Sequence, residues 1–311
     1  MRLGCFGASL WLAWLMGSGA CLAQVTGQMS PAASEALADQ EALAAANAAF
    51  GRGDYSDALS QAENLASRGN PKAATLAASI YEQGIMGTPA PALAVRWYRR
   101  AVGGGDGDAM MGLARLGLAN QGGATPGEAL LVLQRAVAIG RKDAYAPLAD
   151  LFLSGAAGIK DRGRAASLYS RAAGFGDADA AYAAAILYAD GDPDPIDDPL
   201  KAIGFLKQAA TAGRADASAD YGLMLYQGRG VARDLASAAR WFKTAAEAGD
   251  ADGAFYWALV NAKGEGTAQN LELALQWARV AKGSSPEADS LLAQLERVMA
   301  RPNATPPPKA N

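Results

Sequence analysis

The chain has 311 residues, 51% of them hydrophobic but only 7% aromatic, and carries a formal net charge of −3 with no histidine. That mild negative balance excludes the basic face that phosphate-backbone binding requires, so nucleic acid is not an expected partner. The lack of histidine excludes a His-dependent triad, a Cys–His pair and the common zinc sites.

The first elements in chain order form an export segment. Arg2 supplies a short positive region, Ala8 to Met16 an apolar run, and Gly17 to Ala23 a stretch of small residues. Three outcomes stay open. Cys21-Leu22-Ala23 before Gln24 fits small-x-small cleavage, giving a signal peptide over residues 1–23. Ser18-Gly19-Ala20-Cys21 loosely resembles a lipobox, which would make Cys21 an acylated first residue. An uncleaved anchor is the third, although the apolar run is short for a bilayer. Each places the rest of the chain outside the cytoplasm: periplasmic, secreted, or held at the outer membrane as a lipoprotein. Both cysteines, Cys5 and Cys21, lie in this segment, so the remaining chain has no disulfide to stabilise it. Residues 24–33 lack periodicity and read as a flexible linker.

From residue 34 to 300 an internal repeat dominates. Gly69, Gly105, Gly140, Gly176, Gly213 and Gly249 recur every 35 to 37 residues, and Ser285 falls where the next would stand. A period near 36 points to stacked helix–turn–helix units. Four residues after each marker stand Ala73, Ala109, Ala144, Ala180, Ala217 and Gly253; nine after it stand Ala78, Ala114, Ala149, Ala185, Gly222 and Ala258. With the larger residues around them, these small ones form one face of a first helix, A, whose neighbours must approach closely. A second helix, B, carries Ala58, Ala94, Ala129, Ala165, Ala202, Ala238 and Ala274 eleven residues before each marker. Its large apolar positions are clearest in Trp97-Tyr98, Phe205-Leu206 and Trp241-Phe242. The marker glycine then ends helix B in the left-handed region. Gly117 and Asn261 replace the large residue twelve after the marker, so those two copies are expected to pack more loosely. The stretch from Ser34 to Gly69 is degenerate and reads as an N-terminal cap, while Ser285-Pro286-Glu287 opens a closing helix. Residues 301–311 form a Pro-rich tail expected to be disordered.

The run Tyr221-Gly222, Gln227-Gly228-Arg229-Gly230-Val231, Asp234, Ala238, Trp241-Phe242-Lys243, Ala245-Ala246 and Gly249 closely resembles the Sel-one-like repeat (SLR) family. Residues 54 to 283 follow the pattern. The resemblance implies an all-α, right-handed solenoid of about seven antiparallel helix pairs, related to the tetratricopeptide fold. It also implies use as a scaffold for protein partners, with exported members serving polysaccharide secretion, periplasmic restraint of sensor kinases, or virulence. Repeat scaffolds serve many purposes, so the fold alone does not set the function.

Asp108, Asp143, Asp179, Asp216 and Asp252 lie three residues after their markers, where a first-turn carboxylate complements the helix dipole; lining one side of the array to bind a cationic ligand is the competing use. The loop Asp190-Gly191-Asp192-Pro193-Asp194-Pro195-Ile196-Asp197-Asp198 alternates acids, but Pro195 and Lys201 stand where a calcium loop needs glycine and glutamate. It reads as a stiff acidic insertion, and no metal or cofactor is expected. By resemblance to the tetratricopeptide fold, the helix A positions not used for stacking line a concave groove: Met111, Arg115, Asp150, Tyr182, Ile186, Leu223, Tyr226, Phe255 and Leu259. Its apolar C-terminal half is the expected ligand-binding surface; packing against the next repeat is the competing use of the same residues. No motif for phosphate cradling or a serine nucleophile occurs. The chain is therefore expected to be a non-enzymatic adaptor for protein partners in the cell envelope. A carbohydrate or cell-wall polymer, stacked on Trp and Tyr, is the alternative ligand, and a carboxylate-pair hydrolase is the third reading.

Overall fold

The computed structural model describes residues 30–189 and 198–300. The expected export segment 1–23 with Cys21, residues 24–29 of the expected linker, loop residues 190–197 and the expected tail 301–311 lie outside the described residues. Among the described residues there are fifteen α-helices, one short 3-10 turn (Lys142–Ala144) and no strand.

The A helices are α1 (Pro31–Arg52), α3 (Pro71–Gln83), α5 (Gly107–Leu118), α7 (Tyr145–Ser154), α9 (Ala178–Ala189), α11 (Ala215–Gln227) and α13 (Ala251–Lys263). The B helices are α2 (Tyr55–Ser67), α4 (Pro91–Gly103), α6 (Pro126–Ala138), α8 (Arg162–Gly174), α10 (Pro199–Thr211), α12 (Leu235–Glu247) and α14 (Leu271–Val280). A final helix, α15 (Pro286–Met299), closes the array. Each helix packs on the one before and the one after it in sequence, so the hairpins stack in series. Neighbouring A helices also touch one another, at α1–α3, α3–α5, α11–α13 and α13–α15, and no two neighbouring B helices approach as closely. In a curved stack the inner layer is the crowded one, so the A helices form the concave side.

Local sequence explains where helices begin. Asn70, Asp106 and Asp250 accept hydrogen bonds from the amides of Ala73 (3.1 Å), Ala109 (2.8 Å) and Gly253 (2.6 Å). Thr125, Asp161, Asp234 and Asn270 do the same for B helices. Each such cap stabilises its helix by about 1 kcal/mol. The expected ladder takes in only the acids three residues after each marker glycine; the caps stand one residue after it. At the far end, Gly105 adopts φ 84 and lets Asp106 N–H reach back to the Ala101 carbonyl at 3.2 Å.

The small residues lie where backbones meet. Ala73, Ala109, Ala144, Ala180 and Ala217 are all at most 1% exposed, and every repeated B-helix alanine is buried too. Gly222 faces the Phe242 ring, which a Cβ would meet at 2.8 Å, and Phe242 itself is 0% exposed. Burial of such a side chain contributes about 1.5–3 kcal/mol, and close packing makes each added methyl group felt.

Ser285 opens α15 as the sequence leads one to expect, accepting from Ala288 N–H at 3.1 Å, while Gly283 (φ 82) is the positive-φ residue after α14. One sequence expectation is corrected: Gly117 and Asn261 do not loosen their copies. A Cβ on Gly117 would lie 2.7 Å from the Thr125 carbonyl, so glycine there permits close approach of the A–B turn. Asn261 is 2% exposed and its Nδ2 donates to the Trp257 carbonyl at 2.7 Å.

Candidate functional site: the concave face of the A helices

Met111, Tyr182 and Phe255 stand five residues after Asp106, Asp177 and Asp250 at the starts of their helices; Arg115, Ile186, Leu223 and Leu259 stand nine after such a residue, Asp150 nine after Arg141, which opens the 3-10 turn before α7, and Tyr226 twelve after Arg214. Offsets of four and three keep them on one helical stripe. All nine are on A helices, so the inner layer brings them onto one side of the stack. Ile186 is 45% exposed, and Arg115 and Asp150 are exposed as well. Met111, Tyr182, Leu223, Tyr226, Phe255 and Leu259 are half-buried, so they both pack and face outward.

The stripe divides into two chemically distinct halves. In the N-terminal half, Arg115 grips Glu82 with two hydrogen bonds of 2.8 and 2.6 Å, and the Tyr98 hydroxyl donates to the same carboxylate at 2.7 Å. Burial pushes the Glu82 carboxyl up, but the hydrogen bonds from Arg115 and Tyr98 and the Arg115 charge outweigh it and leave it below the usual range. Burial, with Glu82 beside it, raises the Tyr98 phenol. Likewise Tyr169 reaches from α8 to donate to Asp150, and burial raises its phenol.

In the C-terminal half the Tyr182 hydroxyl donates to Asp220 at 2.9 Å, and the Arg214 guanidinium lies 4.5 Å above the Tyr182 ring. Asp220 is pushed above the usual carboxylate range by burial; the Tyr182 hydrogen bond opposes this, and Asp216, Asp250 and Asp252 add to it. Tyr226 donates to Glu265. Phe255 and Leu259 form one wall of an open groove of about 410 Å³, with Pro286, Glu287, Ser290, Leu291 and Gln294 of α15 opposite.

Asn70 follows the first marker; from the second marker on, the next residue alternates between acid and arginine: Asp106, Arg141, Asp177, Arg214, Asp250. Arg141 ties Asp108 of the preceding A helix (2.5 Å) to Asp143 of its own (2.6 Å). Arg214 ties Asp179 to Asp216, the latter at 2.8 Å. The acids of the expected ladder thus act in pairs across the repeat boundary. Their signal in the sequence was the alternation one residue after the glycine.

Of the aromatics that a stacked sugar would need, Trp277 and part of Trp257 line an open groove of about 480 Å³ with Lys243 and Glu247, while others are engaged. Trp241 meets Tyr221 edge-on at 5.5 Å, and Trp257 is 8% exposed. Among the described residues no group of three or more acidic, Cys or His side chains is placed to hold a metal ion, and no helix is long and apolar enough to cross a membrane. What the face offers is shape, rings and charge for non-covalent binding.

The Sel1 repeat profile matches residues 71–106, 143–174, 178–213, 215–250 and 251–282, more than half of the chain. Among solved structures, the chain is similar to c5321, a protective antigen of uropathogenic Escherichia coli strains displaying an SLR fold, with 22% identity and a TM-score of 0.76. That likeness covers 86% of this chain and 58% of the other, so the chain spans little more than half of that protein's length. A Sel1 repeat protein from Oxalobacter formigenes is similar at 24% identity and a TM-score of 0.61, over 77% of this chain and 69% of that one. No curated protein sequence matches. Proteins of this kind generally mediate protein–protein interaction and are typically non-catalytic scaffolds. The matched copies coincide with the stacked hairpins, and the chain belongs to the Sel1 repeat family.

Proposed function

We propose that this chain is an exported, non-enzymatic adaptor that holds protein partners of a cell-envelope assembly along the concave face of its A helices. The observation that carries the reading is the half-buried apolar and aromatic stripe of α9, α11 and α13, which ends in the groove walled by Phe255 and Leu259. Rings that present area at little entropic cost are the usual anchors of protein interfaces. Export is supported by the sequence of residues 1–23.

The test is affinity capture from envelope extracts with the full chain, together with mass measurement of the mature N-terminus. Capture of a defined protein that Ile186→Asp and Leu259→Gln weaken, with unchanged helicity, supports the reading. Capture indifferent to both, or a mature chain that stays in the cytoplasm with its first residues intact, overturns it.

A further inference from the structure

We infer that the groove between α13 and α15 is a seat for an arginine side chain of a protein partner, gripped by Asp252 and Glu287 across the face of Phe255. This rests on the adaptor reading and names the chemistry of what is bound.

The argument comes from two seats that the chain fills itself. Arg214 caps α11, lies over Tyr182, and joins Asp179, two residues past the preceding A-helix cap, to Asp216, two residues past its own position. Arg141 joins Asp108 and Asp143 in the same way. The alternation calls for a third arginine at the cap of α15, and Ser285 stands there instead. The positions of the seat's other parts are kept in the sequence. Asp252 lies two residues past the Asp250 cap, Glu287 two past Ser285, and Phe255 holds the place of Tyr182. Phe255 and Glu287 line the same open groove, and the Tyr256 phenol, raised mainly by burial, feels both Asp252 and Glu287. Among the described residues no cation pairs with either acid: Lys263 is taken by Glu265, and Arg279 faces Glu296. Two carboxylates beside a ring, with apolar walls at Leu259 and Leu291, match a planar guanidinium better than an ammonium.

The probe is an acetylated leucine–arginine–leucine amide, compared with its lysine analogue and its neutral citrulline analogue, titrated against the full chain by amide NMR. The arginine peptide is expected to shift Phe255, Glu287 and Leu291 saturably with a dissociation constant of roughly 1 mM, as a single seat allows. Citrulline should bind at least about tenfold more weakly, with lysine between the two. Ser285→Arg supplies the guanidinium from within and should abolish binding; Asp252→Asn, which leaves the α15 cap intact, should weaken it about tenfold. Equal binding of the citrulline peptide, full binding by folded Ser285→Arg, or no saturable shift at those three residues would each overturn the inference. If the captured envelope partner is lost with Ile186→Asp but kept by Ser285→Arg, the arginine seat falls and the adaptor reading stands. If no partner is captured, the adaptor reading falls while the peptide titration still decides the seat.

Discussion

Gly253 sits in the first turn of α13 against the end of α12, and a methyl group there tests the close-packed seam directly. A Cβ on Gly253 would meet the Ala245 side chain and lie 2.9 Å from the Ala246 nitrogen and 3.0 Å from the Ala245 carbonyl carbon, backbone atoms that cannot swing away. Replacing helical glycine by alanine ordinarily stabilises by about 0.5–1 kcal/mol. Overpacking of this kind costs about 1–3 kcal/mol, so Gly253→Ala should show a net destabilisation between about 0 and 2.5 kcal/mol rather than a gain. Gly204, in the middle of α10 with nothing within 4 Å of an added Cβ, is the control. Gly204→Ala should gain the full propensity term, about 0.5–1 kcal/mol. Urea unfolding measures the difference, and hydrogen exchange shows whether the loss is confined to α12 and α13, as nearest-neighbour coupling in a solenoid requires. If Gly253→Ala is stabilised as much as Gly204→Ala, the close approach of these helices does not set the small-residue pattern, and the packing argument fails.

Three further outcomes are expected. Gly117→Tyr, which restores the residue type of other copies, should lower stability by about 1–3 kcal/mol, because the Thr125 carbonyl occupies the space its Cβ needs; calorimetry showing a gain would refute it. Asp220 has a folded-state pKa above its unfolded value, so its burial removes stability as pH rises from the usual carboxylate range through the raised value. Asp220→Asn, whose amide oxygen can still accept from Tyr182, should therefore be more stable than the parent at neutral pH by less than about 1 kcal/mol, given the partial exposure. That difference should close as pH falls below about 4; an equal difference at all pH values would refute the assignment. Tyr98→Phe removes a buried donor to Glu82 and should cost about 0.5–1.5 kcal/mol in denaturant unfolding. Because Arg115 still holds that carboxylate, a much larger loss would show that Arg115 alone does not satisfy it.

Much of the fold is legible in the sequence because a solenoid repeats its packing solution. One alanine at a given offset says little, but the same small residue at six or seven successive copies identifies the seam, and those alanines are buried. Gly117 shows the limit. Read against a template it is a missing tyrosine, whereas Thr125 and Ala129 close onto it so tightly that a Cβ would lie 2.7 Å from the Thr125 carbonyl oxygen. The concave face is legible in position but not in partnership. Spacing puts Tyr182 on the stripe, yet its bond to Asp220 and its contact with Arg214 cross repeats, 38 and 32 residues apart, and no local pattern reports them. The acid–arginine alternation, by contrast, is legible once the copies are set side by side, because it recurs one residue after successive glycines.

The arginine clamps of Arg141 and Arg214 give this array a step of two hairpins rather than one. Excising α9 and α10 alone would seat Arg214 beside Asp143, which Arg141 already holds, and set two like charges at one boundary. Removing α9 to α12 together takes Arg214 with both of its carboxylates and leaves Arg141 between Asp108 and Asp143. Lengthening or shortening the array by such double units is therefore the modular change its electrostatics tolerate, and a single-hairpin edit between α5 and α12 leaves a clamp incomplete.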